Sequence, residues 1–405
     1  MTDPTTTVTL ADIEAAREVL AGITVRTPVE RSRWLSADAG GDVYLKLENL
    51  QRTGSFKTRG AYVRISRLSD AERANGVVAA SAGNHAQGVA LSAALLGIKS
   101  TVFMPEGAPI PKVKATEAYG ADVVFHGQYL DQALIAAREF ADRTGAVLIH
   151  PFDHVDIVAG QGTCGLEILE QVPDLETVVV PTGGGGLLAG IAIAVKALRP
   201  EVRVVGVQAA GAAAYPRSLA EGHPLPLEHM RTIADGIAVG CPGVVPFHAV
   251  QQYVDEMLTV TDDALSRAVL YVAERAKQVV EPAGAAGVAA LLDDPKRFPT
   301  PAVVVLSGGN IDPLLLGKVI RQGMAAAGRY LSLRVHIPDV PGGLATLLSE
   351  LAEVGANVIE VTHERNSPAL HFDEVEVLVQ LETRGPQHSD RVVGRLRERG
   401  YEVFS

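Results

Sequence analysis

The chain reads as an α/β protein: two lobes of parallel sheet covered by helices, then a small βαββαβ unit. Three observations predict this. Short β-branched runs alternate with helix-like segments between residues 42 and 307, the pattern of strands buried on both faces by helices. The alternation falls into two groups, which predicts two lobes with a cleft between them. Beyond residue 320 the pattern changes to clean apolar alternation with two helices interspersed.

The elements follow in order. Residues 11–22 read as a helix and "DVYLKLENL" (42–50) as a strand. "GVVAAS" (76–81) is a short apolar strand, and the Ala-rich run 86–97 is a helix stopped by Gly97. "STVFMPE" (100–106) is a strand. Residues 111–120 form a helix with Pro near its start and Gly at its end, the usual asymmetry of helix termini. Strand 121–127, helix 129–143 and strand 146–150 continue the rhythm. It resumes with "TVVVPT" (177–182), helix 187–198, "VRVVGVQ" (202–208), helix 263–276 and "AVVVLS" (302–307). "RQGMAAAGRY" (321–330) reads as a linker. In "LSLRVHI" (331–337), Leu331, Leu333, Val335 and Ile337 share one face. Leu344, Leu347, Leu348 and Leu351 then recur at helical spacing. Strands 357–364 and 373–382, helix 390–400 and strand 401–404 complete the unit. The expected division is therefore 1–320, with a smaller lobe of about 46–152 inserted between 1–45 and 153–320, then linker 321–330 and a second domain 331–405.

Composition removes several functions. The net charge of −11 opposes binding to nucleic acid or anionic membrane. Only two cysteines occur, Cys164 and Cys241, too few and too far apart for a disulfide framework or a paired metal site. "MTDPTTTVTL" has neither a basic start nor an apolar core, so no signal peptide is expected and the cytoplasm is the expected location.

Four stretches carry chemistry. "PTGGGGLLAG" (181–190) follows a strand and opens a helix. Bare glycine N–H groups at a helix N-terminus form an anion cradle, which points to a phosphate. A dinucleotide fingerprint is the rival, but the next strand ends in Gln208 rather than an acid. "TGSFKTRGA" (53–61) frames Lys57 between Phe56 and Thr58, with Gly54 and Gly60 outside them. Such a frame suits an amine held to react with a carbonyl. "SAGNHAQG" (81–88) places Ser81, Ala82 and Gly83 where backbone donors suit a carboxylate, and Asn84 offers both donor and acceptor. Helix capping is the competing reading for Asn84 and His85. "LSGGNID" (306–312) sets Ser307 at the end of the last parallel strand, where ligands of open α/β sheets collect. A phosphate, a carbonyl and polar ring atoms together specify pyridoxal phosphate.

In this order and spacing, "SFKTRGA", "SAGNHAQG", "GGGGL" and "SGGN" resemble the threonine dehydratases (threonine ammonia-lyases) of the tryptophan-synthase-β, or fold type II, pyridoxal-phosphate enzymes. The resemblance covers essentially the whole chain. It implies that Lys57 bonds the cofactor covalently, with Phe56 beside the ring and Gly236 lining its other face. Asn84 would bond the ring's phenolic oxygen and Ser307 the pyridine nitrogen. Gly183, Gly184, Gly185, Gly186 and Leu187 would hold the phosphate, and Ser81, Ala82, Gly83 and Asn84 the substrate carboxylate. The implied reaction is deamination of L-threonine, and also of L-serine, by α-proton abstraction and loss of the β-hydroxyl. Related serine racemases carry serine where this chain has Ala82, so little racemisation is expected. Some relatives ligate a divalent ion after the strand ending here at Gln208; this chain has no acids there, and no metal is expected. "HPFDH" (150–154), "GQGT" (160–163) and Glu281 match stretches near the family's cleft, Glu281 having a helix-start acid as its competing reading.

The βαββαβ unit, with "PDVPGGL" (338–344) and "GAN" (355–357), resembles an ACT domain. This implies pairing of copies in a homodimer or homotetramer. It also implies an isoleucine or valine effector site at the interface between copies, near Asp339, Gly342, Leu344 and Asn357. A purely structural pairing unit is the competing reading. Two other functions are weighed: a serine or 3-hydroxyaspartate dehydratase or racemase of the same fold, and a non-catalytic amino-acid sensor.

Overall fold

The computed structural model describes residues 7–365 and 370–404; residues 1–6 of the N-terminal stretch read for a leader lie outside them. It divides into two compact units that meet in sequence between Leu316 and Gly317.

The first unit holds β1 (Val29–Arg31), β2 (Val43–Lys46), β3 (Val77–Ala80), β4 (Ser100–Met104), β5 (Asp122–Phe125), β6 (Val147–Leu148), β7 (Thr177–Pro181), β8 (Arg203–Ala209), β9 (Glu256–Val260) and β10 (Ala302–Val305). Six make a sheet of order β1-β2-β10-β7-β8-β9, parallel except for β1 against β2. The other four make a parallel sheet of order β5-β4-β3-β6. Its strands all fall between β2 and β7 in the chain, so the smaller lobe is an insertion in the larger. The buried runs Val178, Val179, Val180 and Val303, Val304, Val305 show why the central strands are apolar throughout: helices cover both faces.

Helices Val155–Gln171 and Lys57–Ser66, which the sequence reading did not give, pack with helix Gly186–Leu198. Val155–Gln171 is a buried helix of 17 residues. Its Gly160, Gly162 and Gly165 lower helix propensity and hide it in the sequence. The glycines serve close packing. A Cβ on Gly160 would lie 2.7 Å from both the Arg59 carbonyl oxygen and the Gly60 Cα, in helix Lys57–Ser66. One on Gly162 would lie 2.9 Å from the carbonyl oxygen of Gly190, in helix Gly186–Leu198. Beside this seam a charged network is sealed in the core. Arg59 pairs with Glu48 at 2.8 Å and Glu167 at 2.7 Å, while Lys46 meets Glu167 at 2.6 Å. Arg59, Glu48 and Lys46 are all fully buried, and deleting one partner of such a set costs about 3–5 kcal/mol. Short strands β1 and β9 were also not anticipated. No helix among the described residues is long and apolar enough to cross a membrane.

Residues 321–330 differ from the expected linker. Helix Pro313–Ala326 runs across the boundary between the units, and the next strand begins at Tyr330. Gly317, Gly323 and Gly328 made this stretch read as loop, whereas Leu315, Leu316, Val319 and Met324 supply the apolar residues of a helix.

The second unit has β11 (Tyr330–Pro338), β12 (Asn357–Glu364), β13 (Glu374–Glu382) and β14 (Glu402–Phe404) in the antiparallel order β12-β13-β11-β14. Helices Gly343–Glu353 and Pro386–Glu398 cover one face, burying Leu347, Leu351, Val392 and Leu396 on Leu333, Val335, Ile337, Val375, Val377, Val379 and Leu381. The alternation in β11 and β13 marks that buried face. The residues expected to form an effector pocket are not gathered in one copy. Asp339 and Gly342 follow the end of β11 that pairs with Glu374, and Leu344 lies in the first turn of the next helix. Asn357 pairs with Glu382, at the other end of β13. At about 3.4 Å per residue the two ends are about 27 Å apart. Asp339 is also ion-paired to Arg365 at 3.1 Å, and Asn357 donates to Glu382 at 3.2 Å.

Candidate active site

Every element that ends in a motif residue ends at the same place. The C-terminal ends of β3, β7 and β10 lead into Ser81, Gly183 and Ser307, and helices start at Lys57, Asn84 and Gly186. This is where open α/β sheets gather ligands.

Lys57 opens its helix behind Phe56, and its Nζ lies 5.1 Å from the Phe56 ring centroid. The amine donates a hydrogen bond of 3.0 Å to the Pro151 carbonyl. Burial pushes its pKa down to about 8, and nearby Glu281 opposes the shift. The preceding loop is sewn to the end of β10. Phe56 N–H donates to the Ser307 carbonyl at 3.2 Å, Gly309 N–H donates to Gly54 at 2.9 Å, and Ser55 bridges Gly308. Helix Asn84–Leu95 presses on Lys57 from the other side: a Cβ on Gly88 would sit 3.2 Å from the Lys57 Cβ. The lysine is thus fixed from two directions.

Around it lie Asn84, Glu281 and Ser307. Asn84 Nδ2 donates to Glu281 Oε1 at 2.6 Å, and Asn84 Oδ1 accepts from Asn310 Nδ2 at 2.8 Å. Glu281 is buried, which raises its pKa. Ser307 is 4% exposed, yet its hydroxyl makes no hydrogen bond among the described residues. Gly236 packs against the same carboxylate, its hypothetical Cβ falling 3.4 Å from Glu281 Oε1. Asn310 and the Pro151 carbonyl were missed in the sequence. Asn310 stands three residues after Ser307 and could have been found as a polar neighbour; a backbone carbonyl leaves no sequence signal.

The glycine loop is built for an anion. Gly185, with φ +99°, caps helix Gly186–Leu198 without any side-chain hydrogen bond. The N–H groups of residues 183–187 have no acceptor among the described residues. The loop is shaped by its neighbours: Cβ atoms would meet the Phe152 ring at 2.5 Å on Gly184 and the Tyr215 hydroxyl at 1.9 Å on Gly185. Five uncommitted donors at a helix N-terminus, the unpartnered hydroxyl of Ser307 and a lysine held nearby fit a cofactor carrying a phosphate, a ring acceptor and a carbonyl.

The loop after β3 offers fewer donors than its small residues suggested. Ser81 N–H is taken by the Phe103 carbonyl at 3.1 Å, and Gly83 N–H by Ser81 Oγ at 3.2 Å. The N–H groups of Ala82 and Asn84 are left. His85 donates from Nε2 to the Ile149 carbonyl at 2.7 Å, and burial pushes its pKa down to about 3. His150 is pushed down to about 4, again chiefly by burial, and its Nδ1 accepts from Asp153 N–H at 2.8 Å. Both imidazoles are neutral packing groups at pH 7. Near the end of β8, Gln208 accepts from Tyr215 N–H at 2.9 Å and so fixes the residue beneath the glycine loop.

Comparison with known proteins agrees with this geometry. The family model described as pyridoxal-phosphate dependent enzyme matches residues 21–308. The L-threonine ammonia-lyase of Thermotoga maritima is 45% identical over 396 residues, covering 98% of this chain and 99% of that one. The crystal structure of a T.th. threonine deaminase superposes with TM-score 0.72 at 45% identity, covering 75% of this chain and 99% of that one. Maize serine racemase gives TM-score 0.74 at 35% identity, covering 79% and 99%.

Proposed function

Because the chain belongs to the pyridoxal-phosphate-dependent enzymes, and among them to the threonine ammonia-lyases, we propose that it deaminates L-threonine to 2-oxobutanoate and ammonia, with L-serine as a second substrate. The observation that carries this reading is the constellation of Lys57, the free N–H row 183–187 and Ser307 at one sheet edge. When bound, pyridoxal phosphate supplies a carbonyl for amine condensation and an electron-withdrawing ring that stabilises negative charge at the substrate's α-carbon.

The chain's own residues do the rest. Residues 183–187 hold the phosphate through backbone donors, and Asn84 and Ser307 hold the ring's oxygen and nitrogen. Lys57, with a pKa of about 8, is neutral in an appreciable fraction of molecules near neutral pH. Its amine can therefore bond a carbonyl and, once displaced, take the α-proton. The N–H groups of Ala82 and Asn84 suit the substrate carboxylate. Ser307 is a neutral partner, unable to enforce ring protonation as an aspartate would, which favours prompt loss of the β-hydroxyl.

Ala82 separates this activity from racemisation, since it has no exchangeable proton to deliver to the opposite face. Oxo-acid release from threonine, serine and 3-hydroxyaspartate, measured side by side, tests the reading. Threonine is expected to be turned over with the highest kcat/KM. Racemisation of L-serine as fast as its elimination would contradict the assignment. A sensor has no use for the buried, low-pKa amine, so a catalytic role is favoured over that reading.

The second unit is proposed to regulate the first through isoleucine or valine. Because Asp339 and Asn357 stand at opposite ends of the sheet, a pocket using both requires two copies, in keeping with a homo-oligomer. Kinetics unchanged by either amino acid would remove this role. Both cysteines are free thiols, in keeping with a reducing cytoplasm.

A further inference from the structure

The hydrogen bonds around Asn84 fix which way its amide faces, and they do so twice over. Asn310 Nδ2 donates to the Thr53 carbonyl at 2.5 Å, an oxygen that can only accept. The same nitrogen lies 2.8 Å from Asn84, so the Asn84 atom facing it must be the acceptor, Oδ1. On the opposite side Glu281 Oε1 lies 2.6 Å from Asn84 Nδ2. Asn84 thus has its oxygen committed to Asn310 and one amide hydrogen committed to Glu281. One amide hydrogen remains uncommitted among the described residues, on a side chain that is only half-buried.

The carboxylate itself is held. Glu281 N–H donates to the Gly308 carbonyl at 3.1 Å. Two glycines make room for the side chain: a Cβ on Gly308 would fall 2.5 Å from Glu281 Oε1, and one on Gly236 would fall 3.4 Å away. The chain of bonds ends at Thr53, which has the left-handed φ of +63° rare for threonine. Thr53 Oγ1 meets Thr58 Oγ1 at 2.9 Å, beside Lys57. The segments bearing Lys57, Asn84, Glu281 and Ser307 are therefore joined by one hydrogen-bonded path.

We propose that Glu281 is a positioning residue: with Asn310 it locks the Asn84 amide as an obligate donor, so that the cofactor's ring oxygen is held as an anion. It acts through Asn84 rather than by touching the reacting atoms. This rests on the function proposed above and names a determinant of how its cofactor is held.

Two conservative variants separate geometry from charge. Glu281→Gln keeps an acceptor at full reach and loses the charge. Glu281→Asp keeps the charge and is one methylene too short to reach Asn84. Each is purified as full-length protein, stripped of cofactor and titrated with pyridoxal phosphate, with the visible absorption band recorded alongside far-UV circular dichroism. The expected result is that Glu281→Gln binds within about threefold of wild type with an unmoved band. Glu281→Asp is expected to bind about tenfold more weakly or worse, with the band displaced, the scale of one hydrogen bond to a charged group. A Glu281→Asp protein that matches wild type, or a Glu281→Gln protein that falls as far as Glu281→Asp, would overturn the proposal. Wild-type protein that fails to bind pyridoxal phosphate would overturn the proposed function and this inference with it.

Discussion

The site in the first unit and the turns of the second use glycine for opposite purposes. Around the site glycine is absent volume, although Gly22, Gly40, Gly97 and Gly120 elsewhere in that unit serve open turns. Gly160, Gly162, Gly184, Gly190 and Gly308 each stand where a Cβ would come within 3 Å of a neighbour, so helices and loops approach closely around the site. In the second unit glycine is mostly backbone freedom. Gly342, Gly385 and Gly400 have φ of +90°, +120° and +86°, and a Cβ on any of them meets nothing within 4 Å. One residue type thus builds a tight catalytic seam in one unit and tolerant turns in the other. Composition alone cannot tell them apart; the neighbours decide.

Substitution by alanine sharpens the contrast. Gly185→Ala should be the most damaging, because it combines a left-handed φ with overlap on the Tyr215 hydroxyl. Backbone strain of about 1–2 kcal/mol adds to overpacking of about 1–3 kcal/mol. The expected outcome is a lowered Tm together with weakened binding of pyridoxal phosphate, read by thermal denaturation and cofactor titration. A Gly185→Ala protein as stable as wild type would break the comparison at its strongest point.

Acid should act next, and through the first unit. His85 and His150 are neutral in the fold, with pKa pushed down to about 3 and about 4. As pH falls through about 6.5 the unfolded chain takes protons that these folded imidazoles refuse, so stability declines from there downward. The combined loss is expected to reach about 6 kcal/mol near pH 4, about 3 from each histidine. His371 in the second unit is raised by Asp373 and exposed, so it opposes this trend only weakly. Denaturant midpoints at pH 7 and pH 4.5, with His85→Gln as control, test it; a wild type equally stable at both would contradict the burial argument.

Gly160→Ala comes third. Its Cβ would meet backbone of helix Lys57–Ser66 at 2.7 Å, costing about 1–3 kcal/mol. Because that helix begins with Lys57, lowered kcat should accompany the lowered Tm. Smallest, and opposite in sign, is Gly394→Ala in helix Pro386–Glu398. Nothing lies within 4 Å of the added Cβ, so helix propensity should raise stability by about 0.5–1 kcal/mol. A calorimetric scan that found this substitution destabilising would remove the distinction between the units.

Much of this was legible in the sequence for stated reasons. Buried parallel strands announce themselves as apolar β-branched runs, and the ACT-like sheet as alternation in Leu331 to Ile337 and Val375 to Val379. The motif residues came together because each ends a strand or starts a helix at the C-terminal edge of one of the two parallel sheets. What escaped was of two kinds. Helix Val155–Gln171 was hidden because its glycines obey tertiary packing rather than local propensity. Asn310 and the Pro151 carbonyl were hidden because their roles exist only across loops distant in the chain. Asp339 and Asn357 show a further limit: the register of β13 puts them at opposite ends of one copy, so a pocket shared between copies cannot be read from a single chain.

The central claim is that the Lys57 amine bonds the cofactor. Borohydride reduction of the protein loaded with pyridoxal phosphate, followed by peptide mass analysis, tests it directly. The account predicts the added cofactor mass on the peptide containing Lys57 and no added mass in Lys57→Ala, whose threonine turnover should fall by about 10⁴-fold or more. Label on another lysine, or a Lys57→Ala protein that still acquires the label at wild-type yield, would contradict it.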